Sequence, residues 1–271
     1  MRHIRRFGTV DRTLHVILMF SFLGLALTGL PLLFNDARWA SRLARMLGGL
    51  QFAGRLHRFF AIILIGVFSA HVGRLLHRLI VKKDYGILWG PESMVPQPRD
   101  LKELTAHFAW FFHRGPKPRF DHFTYWEKFD YWAVFWGMFI IGGSGLLLWF
   151  PWFFSRFLPG WIFNVALLIH GEEALLAVAF IFTIHFFNGH LRPDKFPMDT
   201  VVFTGSVTED ELRHERPDAY DRWARDGSLE ARVVEPPSPR LVLRGRIVGA
   251  VAIALGLSLF TLIVYAVITQ S

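Results

Sequence analysis

Five of the chain's twelve histidines, His15, His57, His71, His170 and His185, fall inside long apolar blocks or at their ends. An imidazole in such a setting is costly unless it is used, and neutral imidazole nitrogen is the usual axial ligand of a non-covalently held haem iron. Spacing sharpens the point. His57 and His71 are 14 residues apart, and His170 and His185 are 15 apart. At about 100° and 1.5 Å per residue, each pair stays near one helix face, turned by about −40° and +60°, and spans about 21–23 Å along the axis. Two such helices running the same way set His57 level with His170 near the outer membrane face. They set His71 level with His185 nearer the inner face. One intramembrane histidine is often only a packing residue, but four at paired depths suit two stacked b haems and an electron path across the bilayer.

The neighbouring residues extend this chemistry. Arg55 and Arg58 flank His57, and Arg74 follows His71 by three residues; such guanidiniums pair with haem propionates, although span-end arginines also snorkel to the interface. Gly24, Gly66, Gly137, Gly142, Gly143 and Gly145 remove bulk where a porphyrin would press on a helix, or simply let helices pack. Directly after His185, the residues Asn188, His190, Arg192 and Asp194 offer donors, an acceptor and a proton path for a quinone at the inner end. Glu172 and Glu173, adjacent carboxylates within an apolar block, offer a proton acceptor at the outer end, or an ion pair for Arg55 or Arg58.

Positioning these groups requires membrane helices. Of 271 residues, 52% are apolar and 16% aromatic, and the apolar ones form five blocks at 13–34, 58–80, 129–150, 161–187 and 246–268. About 20 apolar residues cross ~30 Å of hydrocarbon. The first block lacks a small-residue cleavage site and reads as a span rather than a removable signal. The expectation is an all-α integral membrane protein with five transmembrane helices, the first four forming the haem-binding bundle (1–190). A polar segment (191–243) and a fifth span (244–271) follow. Arg38–Leu50 reads as a short interfacial helix, 81–128 as an inner loop broken at His113–Arg119, and the region near Glu209–Asp226 as one short helix. No strong internal repeat stands out.

Composition also excludes. No cysteine is present, which rules out disulfides, cysteine-ligated iron–sulfur clusters and covalently attached haem within the chain. The net charge of +8 does not point to nucleic acid, because it is sorted by side. With the N-terminus inside, six of the 30 Lys and Arg fall outside (Arg38, Arg42, Arg45, Arg55, Arg58, Arg156) and 24 inside. That is the sense of the positive-inside rule, and it places the C-terminus on the periplasmic side of a bacterial cytoplasmic membrane.

Asp11-Arg-Thr-Leu-His15, the glycine-rich remainder of the first block, Gly54-Arg-Leu-His57-Arg-Phe-Phe and Leu167-Leu-Ile-His170 resemble the membrane cytochrome b subunits of formate dehydrogenase. The resemblance extends to the cytochrome b anchors of nickel–iron hydrogenase and thiosulfate reductase, and covers the first four spans. It implies two b haems, with His57 and His170 on the outer one and His15 and His185 on the inner one. The double-histidine helices are instead similar to cytochrome b of quinol–cytochrome c oxidoreductases, which implies His71 as the partner of His185 and leaves His15 a supporting, quinone-facing or third-haem role. His71 is favoured because it shares a face with His57. Either way the expected function is electron transfer between the quinone or menaquinone pool and a redox subunit, periplasmic or cytoplasmic, carrying iron–sulfur clusters or multiple c-type haems. A haem-free proton-coupled transporter and a scaffold anchor are the alternatives.

Overall fold

The computed structural model describes residues 1–270. Five helices are long and apolar enough to cross a membrane: Thr9–Leu33, Leu50–Val81, Tyr125–Trp149, Trp161–Leu191 and Pro239–Thr269 (spans 1 to 5). Ile62, Phe139, Leu167 and Leu168 are each more than half exposed on their spans, as side chains solvated by lipid are. The protein is an all-α membrane protein, and its spans run past the apolar blocks. Polar residues such as Asp11 or Arg240 and Arg244 continue the helix beyond the hydrocarbon, where hydrophobicity no longer marks it. Arg38–Met46 forms the short helix expected after span 1.

The chain folds as two compact units that interleave in sequence: Met1–Thr13, Ala70–Ala133 and Thr200–Gly245 form one, and Leu14–Ser69, Val134–Asp199 and the residues from Arg246 on form the other. In the second unit the apolar core joins spans 1, 4 and 5 through Ala26, Leu30, Val178, Phe182, Phe186, Leu259 and Ile263. A Cβ at Gly256 would sit 2.7 Å from the Phe182 ring, so span 5 packs directly on span 4.

The first unit carries structure that apolar patterning alone does not reveal. Strand β1 (His3–Arg5) lies between β2 (Ser206–Thr208) and β3 (Val233–Val234), antiparallel to both, with His3 opposite Thr208 and Val234. Ile4, Val207, Leu212, Ala219, Trp223 and Leu229 form the core beneath the sheet. The expected loop 81–128 contains the helix Pro98–Phe111, opened by a capping box in which Asp100 takes the Gln97 N–H at 2.6 Å and Pro98 sits in the first turn. The single helix expected near Glu209–Asp226 is two, Glu209–Glu215 and Pro217–Arg225. Arg216 precedes a proline and takes φ −130°, ψ 55°, which ends the first helix.

Ion pairs, buried at Lys128–Asp100 and partly exposed around Arg222, tie this unit together. Lys128 meets Asp100 at 2.8 Å, and Arg222 meets Asp121 at 2.6 Å and Glu92 at 2.8 Å. Burial alone would raise the Asp121 carboxyl, but the Arg222 guanidinium, the His122 N–H and Arg99 hold it below the usual carboxylate range. Glu92 is held low in the same way, by His122, Arg222 and the Trp223 indole against burial. Both folded pKa values are depressed, so the stability they contribute is present above the ordinary carboxylate pKa of about 4 and is lost as pH falls through the folded values. Acid titration in detergent should therefore loosen this unit below about pH 4, read as a change in Trp223 fluorescence that is absent in Trp223→Phe. Asp121→Asn should weaken that acid dependence; an unchanged profile would show that the pair does not report on stability.

Candidate functional site

In the second unit, span 2 carries His57 and span 4 carries His170, and their ring centroids are 6.2 Å apart with planes at 76°. With metal–imidazole bonds of about 2.0 Å and about 1.1 Å from each ring nitrogen to its centroid, an ion between the two rings would hold the centroids about 6.2 Å apart. The separation fits an iron between them.

The hydrogen bonds around the rings fix which nitrogen is free. Thr28 Oγ1 on span 1 lies 2.6 Å from the Gly24 carbonyl and 3.2 Å from His57 Nδ1. A hydroxyl has one proton; with that proton donated to the carbonyl, its oxygen accepts from the ring, so His57 Nδ1 carries hydrogen and Nε2 keeps its lone pair. Span 3 repeats the device. Ser144 Oγ lies 2.6 Å from the Ile140 carbonyl and 3.3 Å from His170 Nδ1, and that Nδ1 also donates to the Ile141 carbonyl at 3.0 Å. A carbonyl only accepts, so the same tautomer follows independently. Among the described residues nothing hydrogen-bonds Nε2 of either ring. Two histidines with Nδ1–H anchored and Nε2 open have the arrangement of metal-ligating imidazoles.

Glycines let the neighbouring helices approach. A Cβ at Gly29 would lie 3.0 Å from His57 Cε1, and one at Gly145 would lie 3.0 Å from His170 Cε1. Each glycine directly follows the hydroxyl residue that bonds the same ring, so Thr28-Gly29 serves His57 and Ser144-Gly145 serves His170. Of the six glycines expected to make room, Gly145 does so at a histidine, Gly24 meets Phe60 instead, and Gly66 and Gly143 face open space. Gly145→Val should displace the His170 ring and cost about 1–3 kcal/mol, as overpacking does, whereas Gly143→Val should cost less. Melting temperatures in detergent compare the two, and equal losses would remove the steric argument.

The other histidines divide. His15, in span 1 and the second unit, has a buried Nδ1 without a hydrogen-bond partner, and His185 and His190 are the side chains that act on it electrostatically. His185 ends a π-helical turn, Ile181–His185, and its ring centroid is 6.5 Å from that of His190 in the next π turn, Phe187–Leu191. Such turns recur at functional sites because they re-aim side chains. His71 lies in the first unit, where its Nε2 is 2.8 Å from the Tyr131 hydroxyl.

The polar candidates are also placed. Arg74 binds Asp11 at 2.9 Å, Arg58 stacks over Trp149 at 5.7 Å and Arg55 is exposed. Glu173 accepts the Trp136 indole N–H at 3.2 Å and Glu172 is exposed on span 4; among the described residues neither pairs with Arg55 or Arg58. Asn188 shares the π turn with His190, Arg192 ends the helix in extended backbone, and Asp194 is exposed in the turn that follows. His190 Nδ1 is buried without a partner, and Asp199, which pairs with Lys195 at 3.0 Å, acts on its ring.

No protein-family model matches the chain. Over 179 residues, 66% of this chain and 75% of the relative, it is 24% identical to the cytochrome b556(Fdo) subunit of formate dehydrogenase from Escherichia coli K12. It is 22% identical over 171 residues, 62% of this chain and 70% of the relative, to the nitrate-inducible cytochrome b556(Fdn) subunit of the same strain, and equally to that of Shigella flexneri. The chain is a relative of the formate dehydrogenase cytochrome b subunits. The motifs around His15, His57 and His170 point to the same cytochrome b subunits. What those motifs leave out is the hydroxyl–glycine pair beside each of His57 and His170. Thr28-Gly29 and Ser144-Gly145 precede His57 and His170 by similar intervals, a weak repeat visible only once the helices are paired.

Proposed function

We propose that the chain is a membrane-embedded b-type cytochrome subunit that carries electrons across the bilayer between the quinone or menaquinone pool and a partner redox subunit. The observation that carries this reading is the His57–His170 pair, spaced for one iron with both Nε2 atoms open. The names of the related formate dehydrogenase subunits support it. A b haem bound between the two rings supplies one-electron chemistry at the outer end.

His15 and His185 are assigned to a second haem at the inner end, in preference to His71, whose Nε2 already meets Tyr131. Quinone is assigned to the inner end beside His190, with Asn188, Arg192 and Asp194 at its margin. His190 presents a buried ring nitrogen without a partner, a group able to bond a quinone oxygen and pass a proton to it. Glu173 is less suited, since Trp136 already occupies it. The partner carries the iron–sulfur or multihaem centres that a chain without cysteine does not supply. The N-terminus is assigned to the cytoplasm and the C-terminus to the periplasm by the arginine and lysine distribution.

The test is a dithionite-reduced minus air-oxidised spectrum of the chain purified in detergent, with a pyridine haemochrome assay. About two b haems per chain are expected from the ligand sets assigned here. A well-folded preparation without haem would sink the reading in favour of a proton-coupled transporter built from the same residues.

A further inference from the structure

Thr28 and Ser144 sit on different spans yet do the same thing. Each is buried, each donates its hydroxyl proton to a carbonyl four residues earlier at 2.6 Å, and each leaves its oxygen 3.2–3.3 Å from the Nδ1 of an outer histidine. His170 Nδ1 also donates to the Ile141 carbonyl at 3.0 Å, and the Leu25 carbonyl acts on the His57 ring. At His170 the carbonyl is enough to set the tautomer, so the Ser144 hydroxyl is a second acceptor on a nitrogen already held, while at His57 the Thr28 hydroxyl itself accepts from Nδ1. A second acceptor pulls the N–H proton further from the ring and makes Nε2 a stronger donor. Stronger donation from an axial imidazole favours the more highly charged, ferric state of an iron.

We infer that Thr28 and Ser144 are positioning residues that set the reduction potential of the outer redox centre by accepting the Nδ1 hydrogen of both its ligands. The inference rests on the assignment of that centre to His57 and His170. It places the outer potential lower than the same two ligands without the hydroxyls would give, and it assigns part of the effect to each of two spans.

The test is a potentiometric titration of the detergent-purified chain, following the haem absorbance, in Thr28→Val, Thr28→Ser and Ser144→Ala. Ser144→Ala should keep its haem, because the Ile141 carbonyl still fixes the His170 tautomer, and Thr28→Val is compared in the preparations that retain haem. Partners of metal ligands typically change affinity by about tenfold or more. A tenfold loss of ferric over ferrous preference raises a one-electron midpoint by about 59 mV, and one of the two midpoints should rise by that order while the other stays. Thr28→Ser, which keeps the hydroxyl, should keep the wild-type potential. Should Thr28→Val fail to fold, Ser144→Ala tests the same inference from the opposite helix. Unchanged midpoints with full haem in the hydroxyl-free variants, or an equal shift in Thr28→Ser, would overturn it. Haem-free wild-type protein would instead remove the ligand assignment, and the inference with it.

Discussion

His57→Ala and His170→Ala should each remove one haem from the purified chain, taking the haemochrome stoichiometry from about two to about one. The expectation follows from how the two rings are held. Each is presented by a different span and anchored at Nδ1 by a third or fourth span, so neither has a neighbouring imidazole in its own helix turn to replace it. Removing one ligand leaves a single imidazole and an open coordination position within an apolar bundle. Losing a hydrogen-bond partner of a metal ligand costs about 10–100-fold in affinity, and loss of a ligand itself should cost more. The chain should still insert and fold, because the packed contacts among spans 1, 4 and 5 do not include either ring. Haem counts of two in both variants would mean that the 6.2 Å pair is a packing contact, and the outer site would have to be sought elsewhere.

How much of this was legible beforehand depends on which physical signal each part leaves in a sequence. Five spans were readable because crossing hydrocarbon imposes a length and a composition that few other structures share. His57, His170 and His185 were readable because an imidazole in such a segment needs a reason. The three-stranded sheet was not, since its strands are two or three residues long and Ile4 pairs with residues about 200 positions away. The Pro98–Phe111 helix was hidden by the Pro, Lys and Arg of its surroundings, although the Gln97–Asp100 capping box marks its start. Thr28 and Ser144 were invisible for a different reason: a hydroxyl in an apolar helix ordinarily bonds its own backbone, and only the facing ring turns it into a ligand support. Periodicity expects His71 near the face of His57, but it carries no information about Tyr131, 60 residues later.

That last point sets the second large effect, at the inner site. His185→Ala and His15→Ala should each remove the inner haem, whereas His71→Phe should leave both haems in place. His71 Nε2 is 2.8 Å from the Tyr131 hydroxyl, so replacing it strands a partly buried phenol at a cost of about 1–3 kcal/mol in stability, seen as a lower melting temperature and not as missing haem. His15 shows the opposite condition, a buried Nδ1 without a hydrogen bond beside His185 and His190. An unsatisfied polar atom in an apolar bundle is costly, and three imidazoles gathered at one helix end have no packing role that Leu or Phe would not fill better. His190→Ala separates the remaining function: both haems should stay while quinone-dependent oxidation or reduction of the haems slows by about 10²-fold or more, the usual scale for loss of a positioned proton donor. If His71→Phe loses haem and His15→Ala keeps both, the inner ligand is His71. The buried nitrogen of His15 would then belong with His190 at the quinone.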